Sequence, residues 1–194
     1  MNGDAPASRP SKALLDEEIL RRERSKAFYG AVWGAVRTLL VVAAASVLLS
    51  TFWLPVLRVY GESMLPALRD GEIVLAVKHS EPRRGDIVAF RYNNKLLLKR
   101  VIAVSGEWVD IDENGAVSVN GEPLDEPYAP EKALGNCDIT LPYQVPDGSF
   151  FVMGDRRLTS ADSRSSAVGA VSGDQLVGKA ALRLWPFAAF GKVN

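Results

Sequence analysis

The hydrophobic rhythm of this chain changes once, near Arg58. Before it, 20 residues from Thr38 to Leu57 carry no formal charge. As a helix they span roughly 30 Å, the thickness of a bilayer hydrocarbon core. Trp33 and Trp53 flank the run as interfacial residues do, and Pro55 predicts the helix exit. Residues 37–57 are therefore expected to form a membrane anchor, preceded by a tail at 1–36. A cleavable leader fits poorly, because 37 residues precede the run and Ala43-Ala44-Ala45 follows only a short apolar stretch. A buried core helix of this length would carry a polar face. Residues 12–29 read as a helix leading into the membrane with a solvated charged face. The first ten residues, with Gly3, Pro6, Ser8 and Pro10, read as disordered.

After Arg58 the pattern becomes short runs of Val, Ile and Leu broken by Gly, Asn, Asp and Pro. Strands are predicted at Glu72–Lys78, Asp86–Tyr92, Lys95–Val104, Trp108–Ile111, Ala116–Val119, Phe150–Met153 and Gln175–Leu184. Asn93-Asn94 and Glu113-Asn114-Gly115 stand where hairpin turns belong. The stretch 121–148 holds five prolines and reads as a loop-rich excursion. The expected class is mainly β, with one transmembrane helix followed by a mostly antiparallel domain over 58–194.

Charge orients the anchor and narrows the partners. Arg21, Arg22, Arg24, Lys26 and Arg37 precede the span, whereas only Arg58 and Arg69 follow it within the next 20 residues. The positive-inside rule puts the N-terminus in the cytoplasm and the β domain outside. The formal net charge is zero, which gives no reason to expect nucleic acid as a partner. Cys137 is the lone cysteine and His79 the lone histidine, so no zinc site is expected, and no carboxylate loop has metal-binding spacing.

Three places carry chemistry. Strand alternation puts Lys99 on the same face as Leu97 and Val101, where lost hydration lowers a lysine pKa. A shift of about 3 units, about 4 kcal/mol, would make it a base near neutral pH. The plainer reading is a lysine snorkelling to the surface at a strand end. Ser63, in Gly61-Glu62-Ser63-Met64-Leu65-Pro66, is a nucleophile only if a base takes its proton; otherwise the segment is a turn. The Gly-x-Ser-x-Gly elbow is absent. His79 is the conventional base, but it lies at a polar strand end before Pro82. The third place, Met153 to Arg164, packs acids, arginines and hydroxyls. It reads either as an exposed loop or as a platform with Asp162 and Arg164 paired bidentately, leaving Ser160 to meet the lysine.

Together these motifs resemble type I signal peptidases, the membrane-bound Ser-Lys proteases. The resemblance runs in order through Gly-x-Ser-Met-x-Pro-x-Leu at 61–68, Arg84-Gly85-Asp86-Ile87-Val88, Lys99-Arg100-Val101, Gly106-Glu107 and Gly154-Asp155 through Ser160-x-Asp162-Ser163-Arg164. It implies Ser63 as nucleophile, Lys99 as general base and Ser160 as the group orienting the lysine. Asp155, Arg157, Asp162 and Arg164 would be structural supports. The oxyanion would meet the Ser63 N–H, with Gly61 standing where some members carry a hydroxyl donor. A short β insertion at 105–148 is expected, and no cofactor. The implied substrates are signal-peptide-bearing preproteins cut after small residues at −3 and −1. They would lie by strand addition beside Val59, Tyr60, Glu62, Leu97 and Leu98. The implied setting is a bacterial plasma membrane, with the bilayer and a secretion translocon as partners. Arg156 departs from the usual asparagine and Ala67 from a common threonine. A non-proteolytic binding module and a self-cleaving repressor-type peptidase are the rival readings; the intact Ser63 and Lys99 argue against the first, and the anchor against the second.

Overall fold

The computed structural model describes residues 12–78 and 80–193, so His79 and the first ten residues lie outside the described part. The described residues fall into two compact units that divide between Leu48 and Leu49. A helix, α1, runs from Lys12 to Phe52, rich in the strong helix formers Ala, Leu, Arg and Glu. Its Phe28–Leu49 portion has mean hydropathy 2.0 and buries nothing within the protein, so it is long and apolar enough to cross a membrane. Thr38 and Ser46 donate their hydroxyls to the carbonyls of Gly34 and Val42 four residues back. Such bonds satisfy hydroxyls where water is absent.

The helix stops short of the predicted span. The Trp53 and Leu54 N–H groups both donate to the Leu49 carbonyl, and the Pro55 carbonyl accepts from Ala76. Val56 and Leu57 therefore belong to the first strand, which corrects the end of the 37–57 anchor. Proline ends the helix, and a sheet edge takes the chain before the uncharged run is over.

The strands follow in chain order. They are β1 Val56–Arg58, β2 Ile73–Val77, β3 Ile87–Tyr92, β4 Lys95–Val104, β5 Trp108–Ile111 and β6 Val117–Val119. Then come β7 Glu122–Pro123, β8 Tyr143–Gln144, β9 Ser149–Met153, β10 Val171–Ser172, β11 Leu176–Trp185 and β12 Gly191–Lys192. The larger sheet has the order β1-β2-β11-β3-β4-β9-β10 with β12 beside β11, and the smaller β7-β6-β5-β8. Every pairing is antiparallel. The mainly β, antiparallel architecture is thus the one expected. The smaller sheet lies within 105–148, where the proline-rich stretch still contributes β7 and β8.

Asn93 and Asn94, at φ 44° and 59°, make the tight β3–β4 turn. Both are residues that tolerate the left-handed region. Ile102, Val109, Ile111, Val117, Phe151 and Met153 are buried together, joining β4 and β9 to the smaller sheet. Met64, Leu68, Val74 and Ile87 form a second cluster, and Val88, Phe90, Val101 and Val152 a third. β4 contributes to all three or packs against them, and it carries Lys99.

Candidate active site

Ser63 sits in a tight turn between β1 and β2. Gly61 takes φ +81°, a left-handed backbone that a side chain would strain. The turn closes through the Leu65 N–H to the Glu62 carbonyl at 3.1 Å and the Leu68 N–H to the Met64 carbonyl at 2.8 Å. Met64 and Leu68 are sunk into the second core cluster. Apolar burial on one side and backbone bonds on the other thus hold the half-buried Ser63 in place.

Lys99 reaches that turn from β4. It pairs with Val88 across the β3–β4 ladder, in the row that contains Leu97, Phe90 and Val101. The side chain is 3% exposed. Its Nζ donates to Ser63 Oγ at 2.6 Å. Burial lowers the Lys99 pKa from 10.5 to about 8. Asp162 and Asp155 oppose that shift and Arg164 reinforces it. Desolvation outweighs the nearby carboxylates because each of those is already matched by a guanidinium.

The matching is visible in the loop after β9. Asp162 accepts from Arg164 Nε and Nη2, both at 2.9 Å, and from the Gly154 N–H at 2.9 Å. Arg164 also donates to the carbonyls of Arg157 and Leu134, at 2.8 and 2.7 Å. Asp155 is gripped by Arg100 Nε and Nη2 at 2.8 and 2.7 Å. Arg100 Nη1 donates to the Gly85 carbonyl at 2.7 Å, and its guanidinium lies 4.0 Å from the centre of the Tyr128 ring. Arg157 pairs with Glu126 and donates Nε–H to the Gly154 carbonyl at 3.1 Å. All these charged groups are buried. A buried pair is tolerable only when its donors and acceptors are met, as these are.

The loop touches the Ser63 turn directly. The Arg156 N–H donates to the Ser63 carbonyl at 3.1 Å. A Cβ at Gly154 would lie 2.2 Å from Ser160 Oγ and 2.6 Å from the Ser63 carbonyl oxygen, so only glycine fits. Ser160 Oγ is buried and has no hydrogen-bond partner among the described residues. Ser160 thus lies beside the pair without bonding to Lys99.

A groove of about 590 Å³ opens on the pair. Val59, Tyr60, Gly61, Leu97 and Leu98 line it with Ser63 and Lys99. Two expected site residues are differently employed. The Gly61 N–H donates to Asp70 Oδ1 at 2.7 Å and is not free to meet an oxyanion. Glu62 turns away from the groove, pairs with Arg156 and lines another pocket. The Ser63 N–H meets no acceptor among the described residues.

Glu126 and Tyr128 escape the reading of the sequence, and Arg100 enters it only inside the Lys99-Arg100-Val101 motif, with no role of its own. A lysine and an arginine side by side in an apolar strand was the available signal for Arg100, since both faces of β4 are buried there. Glu126 and Tyr128 lie among prolines and carry no motif.

Residues 32–185 match the family model described as "Signal peptidase, peptidase S26". Signal peptidase IB of Staphylococcus aureus is 39% identical, covering 67% of this chain and 77% of its own. Signal peptidase I of Bacillus caldolyticus is 38% identical, covering 68% and 80%. The crystal structure of a signal peptidase I from Enterococcus faecalis is 30% identical, with TM-score 0.44, over 52% of this chain and 97% of that one.

Proposed function

Since the chain belongs to the signal peptidase family, and so is a serine peptidase that removes signal peptides from preproteins, we propose that it does so with a Ser63–Lys99 dyad. The observation that carries this is the 2.6 Å contact between Lys99 Nζ and Ser63 Oγ, with the lysine pKa lowered to about 8. At pH 7 roughly one lysine in ten is then neutral, against fewer than about one in a thousand for a free side chain. A neutral amine accepts the Ser63 proton as Oγ attacks the scissile carbonyl. The resulting ammonium protonates the leaving amine, and water, activated by the same lysine, hydrolyses the acyl-enzyme. The unpartnered Ser63 N–H is the oxyanion donor. Ser160, with its Oγ uncommitted beside the pair, orients the lysine once substrate is bound.

Substrate enters the groove as an added strand. Over Lys95–Lys99, β4 pairs with β3 on one side only, because β9 begins pairing at Arg100. β1 likewise has one unpaired edge. Such edges offer N–H and C=O groups to an extended peptide. Val59, Tyr60, Leu97 and Leu98 flank the residues before the cut, and small residues at −3 and −1 suit walls built of such bulky side chains. The chain spans the plasma membrane once through Phe28–Leu49, with its N-terminus cytoplasmic and residues 58–194 outside, where exported precursors pass on leaving a translocon.

The test uses a preprotein with an Ala-x-Ala site and the same preprotein with leucine at −1, incubated with detergent-solubilised full chain. Cleavage after alanine only, with a transient acyl adduct found by mass on Ser63, is the expected result. Equal cleavage of both substrates overturns the specificity, and an adduct elsewhere overturns the nucleophile.

A further inference from the structure

The 61–65 turn separates two cavities. Ser63 and Met64 line the groove described above, whereas Glu62 and Leu65 line a pocket of about 440 Å³. Leu65, Pro66 and Pro130 give that pocket apolar walls, and Glu62, Glu131 and Arg156 its charges. Asp155 also borders it, but its carboxylate is held by Arg100. The pocket is tied to the nucleophile: the Arg156 N–H donates to the Ser63 carbonyl, while the Arg156 side chain pairs with Glu62.

We propose that this pocket is the subsite for the first two residues after the cut, and that Glu62, Glu131 and Arg156 make it select a basic side chain over an acidic one there. This rests on the dyad reading above. A peptide lying in the groove with its scissile carbonyl at Ser63 must send its leaving part past the turn, and the only cavity bordering the turn's other side among those described is this one. Charge decides the preference. Glu62 and Glu131 bring two negative charges against one positive charge on Arg156, and Asp155 is neutralised by its own partner. A lysine or arginine fits the mixture of walls, laying its aliphatic stem on Leu65, Pro66 and Pro130 and its cation beside the carboxylates. An acidic residue meets uncompensated negative charge. Both glutamates are exposed, so solvent screening keeps the effect modest.

The experiment uses three peptides identical through an Ala-x-Ala cut, with Ala-Ala, Lys-Lys or Glu-Glu at +1 and +2. The expected kcat/KM ratio of the lysine to the glutamate peptide is about fivefold at low ionic strength, shrinking with added salt. Glu62→Gln with Glu131→Gln brings the ratio close to one, while Arg156→Gln widens it. Moving the charged pair to +7 and +8 abolishes the difference, which separates a subsite from long-range attraction. A ratio near one in the wild type, a preference for glutamate, or a ratio untouched by these substitutions overturns the subsite while leaving the dyad standing. Failure to cut even the Ala-Ala peptide overturns the dyad and the subsite with it.

Discussion

Replacing Lys99 by methionine should make the protein inactive and more stable. Methionine keeps the length of the buried stem and deletes the ammonium. The folded pKa of about 8 lies below the unfolded value of 10.5, so between these limits the unfolded chain holds the extra proton. Wild-type stability therefore climbs as pH rises from 8 to 10.5, and below pH 8 the full penalty of the buried charge is present. The shift corresponds to about 3 kcal/mol. Losing the hydrogen bond to Ser63 returns about 1 kcal/mol of that gain. At pH 7 Lys99→Met should thus exceed wild type by about 2 kcal/mol, and the advantage should vanish at about pH 9.5 and reverse by pH 10.5. Urea unfolding of the solubilised chain at a series of pH values reads this directly. A variant no more stable at pH 7, or one whose advantage does not shrink with pH, would refute the claim that burial lowers the Lys99 pKa.

Three other substitutions probe the surroundings. Gly154→Ala should fold but lose about a hundredfold in kcat, because the new Cβ must displace Ser160 and the Ser63 carbonyl by around an ångström; steady-state kinetics beside a circular dichroism spectrum checks it. Arg100→Met leaves the Asp155 carboxylate buried and unmatched, and should lower stability by about 3–5 kcal/mol in urea unfolding. Ser160→Ala removes an uncommitted hydroxyl beside the pair, and should lower kcat about tenfold with KM unchanged and a displaced pH midpoint.

Much of the β domain could be read from residue order because its strands announce themselves locally. β4 and β5 run over the predicted residues, and β3 and β9 differ by one residue at an end. The paired asparagines mark the hairpin between β3 and β4, since few other residues accept its left-handed backbone. β1 was hidden inside the uncharged run, where hydropathy alone cannot tell a membrane segment from a sheet edge. β7, β8, β10 and β12 are two residues long, too short to show an alternation, and β8 and β10 pair only with strands distant in sequence. The same reason conceals Glu126, which meets Arg157 across 31 residues. Ser63 and Lys99 were legible from their motifs, yet their contact depends on the β3–β4 register and the buried Met64. Glu62 shows the opposite failure: adjacency to Ser63 suggested the groove, and the turn sends its side chain the other way.

The most direct test is cleavage of an Ala-x-Ala preprotein from pH 6 to 10 by wild type, Ser63→Ala and Lys99→Ala. The dyad predicts cleavage by wild type alone, with kcat/KM rising tenfold per pH unit and levelling off around pH 8 as Lys99 loses its proton. Undiminished cleavage by either variant, or a wild-type profile flat through pH 8, would contradict it.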